Sequence, residues 1–103
     1  MNVQGIIEKK LTNNIDCIYL QVENESFRHS VPVNSETHFK VTVVSDVFSG
    51  KKLLARHRLI NQLLAEQLAG PVHALAIHTY TAAQWIQKNH VSPLSADCMG
   101  GDK

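Results

Sequence analysis

Six histidines and two cysteines are the side chains of this 103-residue chain best suited to metal chemistry. Neutral imidazole is a good ligand for iron, zinc, copper and nickel. Two of the six histidines stand where a ligand would be useful. His73 follows Gly70-Pro71, a pair that must stop a helix, and it precedes a strand pattern, so its side chain can project from a rigid corner. His29 lies in a long loop between Ser26-Phe27-Arg28 and Ser30-Val31-Pro32. The bland alternatives are a structural hydrogen bond from His73 to the preceding loop and simple solvation of His29. The other four read as bystanders. His57, four residues after Leu53 and three before Ile60, falls on the buried face of its helix. His38 opens a strand and bonds loop backbone, His78 decorates an outer sheet face beside Tyr80, and His90 suits the negative end of a last helix. Cys17 sits in an apolar strand pattern and Cys98 in a Gly-rich tail, with no CxxC and no local zinc spacing, so no structural disulfide is expected.

The second chemical feature is electrostatic. Lys51, Lys52, Arg56 and Arg58 fall in a stretch without an acid, at the start of a helix. Such a patch can contact phosphates, dock an acidic partner or remain a solvated face. The net charge of +1 excludes strong attraction to nucleic acid over the whole surface. The GxxG clamp of RNA-binding KH domains is absent, since Gly5, Gly50, Gly70, Gly100 and Gly101 never take that spacing. No Ser/His/Asp order, carboxylate pair or phosphate-cradling Gly loop is present, so catalysis is not expected.

The elements that must position these residues follow from periodicity. A hydrophobic fraction of 44% in 103 residues gives one globular domain with one modest core. No apolar run approaches the roughly 20 residues that span a bilayer, and the N-terminus lacks a signal-peptide pattern. The chain reads as bacterial and cytoplasmic, without membrane attachment. Val3, Ile6, Ile7 and Leu11 predict a helix over residues 2–12, ended by Asn13-Asn14. Ile18, Leu20 and Val22 alternate with polar neighbours, as do Phe39, Val41 and Val43, predicting two strands joined by a long loop from Asn24 to Glu36. Ser49-Gly50 closes the second strand. A helix starts at Leu53, carries Ile60, Leu63, Leu64 and Leu68, and stops at Gly70-Pro71. Leu75, Ile77 and Thr79 share one face of a third strand. Thr81 to Gln84 reads as a capping box opening a last helix with Trp85 and Ile86. The order αββαβα, with a right-handed parallel crossover from the second strand to the third, is an α+β two-layer sandwich on a three-stranded mixed sheet. Residues 1–90 form the domain and 91–103 a flexible tail.

Glu36-Thr37-His38-Phe39, Phe48-Ser49-Gly50, Arg56-His57-Arg58, Val72-His73-Ala74-Leu75 and Trp85, in that order, resemble the BolA family over about residues 2–85. The resemblance implies a class II KH-like fold. It implies that His73 is the signature metal ligand and that His29 occupies the position of the second. It further implies a monothiol glutaredoxin as partner, whose cysteine and bound glutathione ligate the other iron of a shared [2Fe–2S] cluster, with no cluster in the isolated chain. The role would be iron–sulfur cluster trafficking or iron sensing. Such a cluster needs four ligands, and two imidazoles on one iron would resemble Rieske ligation. Because the imidazoles must be neutral, the cluster should loosen below about pH 6.5. The family also contains transcriptional regulators of morphology and stress genes, so duplex DNA on the basic patch is the alternative reading. A homodimer is left open. Cys98 is expected to be dispensable as a ligand: ordering a Gly-rich tail costs roughly 1–2 kcal/mol per residue, and Asp97 disfavours the thiolate.

Overall fold

The apolar repeat at the N-terminus forms helix α1, Val3–Asn14, with Ile7 and Leu11 fully buried. Its free amides are satisfied twice over: Asn2 accepts from the Gly5 amide, and the Glu36 carboxylate accepts from Val3 and Gln4 at 3.1 and 3.2 Å. A distant carboxylate thus caps the positive end of the helix dipole and ties the end of the long loop to α1. The helix runs two residues past its expected end. Asn14 does not take a left-handed cap; its amide donates back to the Lys10 carbonyl at 2.7 Å.

This computed structural model describes residues 2–28, 32 and 35–91. Strand β1 (Tyr19–Asn24) runs antiparallel to β2 (His38–Val44), which runs parallel to β3 (Ala74–Tyr80), in the order β1-β2-β3. The parallel crossover passes through helix α2 (Leu53–Leu63) and a short α3 (Ala65–Ala69). The mixed sheet and its helices match the α+β architecture read from the sequence. Phe39, Val41 and Val43 face inward against Ile7, Leu11, Ile60 and Leu64. The predicted single helix bends at Leu64, yet Leu64 still donates to Ile60 and Leu68 to Leu64, so the ladder continues across the bend. Helix α4 (Ala82–Gln87) opens with the expected capping box at Thr81 and Gln84. It folds onto the other side of the sheet, where Trp85 packs at 5.2 Å against both Tyr19 and Tyr80.

Three expectations need correction. Strand β2 ends at Val44 rather than at Ser49-Gly50. A 3-10 turn, Asp46–Phe48, follows and buries Phe48, while Gly50 takes the positive φ of 77° that a side chain would resist. His78 is half-buried rather than solvated. Burial first, then nearby Lys40, holds its imidazole below the ordinary histidine value, so it is neutral at neutral pH.

The third correction is the larger one. His57 is only half-buried, and its neighbour Arg56, 5% exposed, takes the inward position. The Arg56 Nε donates to the Lys51 carbonyl at 2.9 Å, and Nη1 donates to the Thr79 carbonyl at 3.3 Å and to Gln84 Oε1 at 2.8 Å. Gln84 Oε1 also accepts the Thr81 amide of the capping box. One guanidinium therefore pins the start of α2, the finish of β3 and the first turn of α4, lying 5.7 Å over the Phe48 ring. Charge-assisted bonds of this kind are individually stronger than neutral ones. Arg56→Met, which keeps the packing but deletes all three bonds, is expected to cost roughly 1–3 kcal/mol in urea unfolding. Lys52→Ala should stay within about 0.5 kcal/mol of wild type. Equal effects of the two substitutions would mean that Arg56 behaves as a surface cation.

Candidate functional site

The parallel register brings the starts of β2 and β3 together, with His38 opposite Ala74. Just ahead of that pair the Thr37 carbonyl accepts from the amides of His73 and Ala74 at 2.8 and 3.2 Å. On the other side of His73, Val72 is buried and its amide donates to Gln67 at 2.9 Å. The backbone of His73 is thus held between a core residue and the first ladder pair. Its side chain is exposed. This is the rigid corner that the Gly70-Pro71 stop implied, reached through α3.

The long loop is anchored beside this corner at both of its ends. At its start Ser26 is buried, and its hydroxyl oxygen accepts from the amides of Thr37 and His38 at 3.0 and 3.1 Å. Asn24 accepts from the Ser26 amide and donates to the Ser35 carbonyl at 2.9 Å, while the Glu25 amide donates to His38 at 2.7 Å. These short polar bonds replace what a turn would supply and fix where the chain leaves and re-enters the sheet. Phe27, at the start of the loop, is 80% exposed. His29 lies outside the described residues, as does Cys98 with the tail from residue 92.

His38 was read from the sequence only as a strand-opening residue bonded to loop backbone. Its Nδ1 lies 2.8 Å from the Thr37 hydroxyl, and its ring sits edge-on to His73 with centroids 6.3 Å apart. The corner therefore carries a pair of imidazoles. The signal was present in the parallel crossover, which forces the starts of both strands side by side, but the register needed to pair His38 with Ala74 is not written in either segment alone.

Cys17 does not share this corner. It precedes β1, and the next residue, Ile18, donates to Val44 at the opposite end of β2. Val44 lies six residues from His38, about 20 Å along a strand. Burial and then Asp16 push the Cys17 thiol above its ordinary value, which keeps it protonated and a poor ligand. Among the described residues no three His, Cys, Asp or Glu side chains gather as a metal site.

The basic residues fall at the opposite end of the sheet from His73. Lys51, Lys52 and Arg58 are exposed there, and Lys52 is the N-cap of α2. Arg56 leaves the exposed set, because its guanidinium is committed to Lys51, Thr79 and Gln84. The patch read from the sequence thus holds three surface cations. No helix among the described residues is long and apolar enough to cross a membrane.

Comparison with known proteins places these features in a family. The family model described as BolA-like protein matches residues 11–84. The DNA-binding transcriptional regulator BolA of Vibrio cholerae is 54% identical over 98% of this chain and 95% of its own length. The regulator of the same name in Escherichia coli is 46% identical over 97% and 95% of the two chains. Among solved structures, the solution structure of BolA1 from Mus musculus superposes with a TM-score of 0.82 at 47% identity, covering 97% of this chain and 80% of that one. With the family model matching residues 11–84 and relatives of this identity matched along nearly their whole length, this chain belongs to the BolA family.

Proposed function

We propose that this protein is an adaptor that co-ligates a [2Fe–2S] cluster with a glutathione-loaded monothiol glutaredoxin, using His73 and His29, in iron–sulfur cluster trafficking or iron sensing. The observation that carries the reading is the corner itself: an exposed imidazole on backbone locked by Thr37, beside the anchored base of the loop that holds His29. His29 follows Ser26 by three residues, a reach of at most about 11 Å from that anchor. The donor set suits half of a shared site. Imidazole binds iron, a cluster needs four ligands, and among the described residues no three His, Cys, Asp or Glu side chains gather at the corner. When bound, the cluster would supply electron-transfer and iron-donating chemistry. The chain's own part would be to offer the imidazoles of His73 and His29 and to leave the remaining positions to the partner.

Mixing this protein with a glutathione-loaded glutaredoxin, iron and sulfide should give a hetero-complex with a visible spectrum distinct from that of the glutaredoxin alone. His73→Ala should abolish the distinction, while Cys17→Ser should leave it intact. An unchanged spectrum in the His73 variant would remove His73 from the ligand set.

A second reading, duplex DNA binding by a transcriptional regulator, is favoured by the names of the bacterial relatives, DNA-binding transcriptional regulators, and by the exposed Lys51, Lys52 and Arg58. It needs no feature of the imidazole corner. Three phosphate contacts set a log–log salt slope of about −2.7 for B-DNA, and Lys51→Ala with Lys52→Ala should bring it towards about −0.9. Affinity insensitive to both salt and substitution would exclude the patch from DNA contact.

A further inference from the structure

Arg56 is 5% exposed and yet has no carboxylate within ion-pair distance among the described residues. Buried guanidinium groups are nearly always neutralised, because desolvating an unpaired charge is costly. Its three hydrogen bonds go to two carbonyls and an amide oxygen, which offer dipoles but no negative charge. The Phe48 face at 5.7 Å adds a modest attraction of the same kind. A guanidinium has five N–H donors, and the two on Nη2 make no hydrogen bond among the described residues.

The same side chain lines a cavity of about 230 Å³ at the finish of β3, together with Leu53, Thr79, Tyr80, Gln84 and Lys88. Among the described residues no acidic side chain lines it. Lys88 stands at its rim with Nζ 5.8 Å from the centre of the Tyr80 ring. Cations and side-chain amides around a small space are the complement of an oxyanion. Arginine's planar fork suits the tetrahedral oxygens of phosphate in particular. The volume falls below the roughly 300–1,000 Å³ of pockets that enclose a whole drug-sized ligand. A phosphate group fits, with the rest of its molecule outside, where Lys51 and Lys52 are exposed at the start of α2.

We propose that the cavity between Arg56 and Lys88 is a phosphate-binding site. The phosphate can belong to a nucleic-acid backbone or to a free phosphorylated small molecule, and the site stands whether or not the DNA reading does. The test is a titration of the full-length, nitrogen-15-labelled chain with inorganic phosphate, chloride holding the ionic strength constant. The signals followed are the Arg56 Nε–H side chain and the amides of Gln84 and Lys88. A saturable shift confined to these signals is expected, weakened about threefold or more in Lys88→Gln, whose exposed position leaves the fold intact. Shifts that are non-saturating, scattered over the surface or equal in wild type and Lys88→Gln would overturn the site. Two further arms identify the source. A short DNA duplex that moves the same signals and is displaced by phosphate assigns the site to nucleic acid. A nucleoside monophosphate that moves them where the duplex does not assigns it to a small molecule. Duplex binding that leaves them still, combined with no response to phosphate, rejects the pocket and leaves DNA contact by Lys51 and Lys52 standing.

Discussion

Parallel pairing of β2 with β3 puts the starts of both strands at one end of the sheet and their finishes at the other, and the molecule's chemistry divides accordingly. At the starting end the Thr37 carbonyl accepts two successive amides, His73 and Ala74, before the ladder begins. That single acceptor fixes the backbone of His73, sets the register that brings His38 alongside, and closes the base of the long loop through Ser26. Shifting the register by one residue would turn every side chain of β3 to the other face, exposing Leu75 and Ile77. The core and the imidazole corner therefore depend on the same hydrogen bonds.

At the finishing end the connection that makes a parallel pair has to return over the sheet, and α2 begins there. Arg56 reaches from its first turns to the Thr79 carbonyl near the finish of β3 and to the capping residue of α4. This arrangement commits a charged side chain to neutral acceptors, whereas a buried cation is best offset when its counter-charge is also present. The two ends lie about 20 Å apart along the strands. A cluster ligated at His73 and an anion near Arg56 would thus occupy opposite ends of the sheet.

Much of this was legible in the sequence. The Gly70-Pro71 stop and the Thr81–Gln84 box each carry a local rule and appear as that rule requires. The strand patterns do form β2 and β3, although β2 is buried on both faces, at Lys40 and Thr42 as well as at Val41 and Val43. The residues misread are those whose role is set by a distant partner. Leu53, His57 and Ile60 form as good an apolar series as Arg56 and Ile60, and nothing within α2 reveals that the carbonyl of Thr79 and the side chain of Gln84 wait for a guanidinium. His38 looked isolated because its neighbour, His73, is thirty-five positions away and meets it only through the sheet. Capping of α1 by Glu36 escaped notice for the same reason, because the carboxylate comes from more than thirty residues along the chain. Lys51, Lys52 and Arg58, whose exposure needs no partner, stand where the charge pattern put them.

The central claim is that His73 is a direct ligand of a cluster held jointly with a partner. Electron–nuclear double resonance on the reduced hetero-complex, with nitrogen-15 histidine in this chain alone, tests that bond itself. The account expects strong nitrogen-15 couplings typical of coordinated imidazole, reduced by the removal of one nitrogen in His73→Ala. A spectrum without such couplings, from a complex whose cluster is intact, would contradict it.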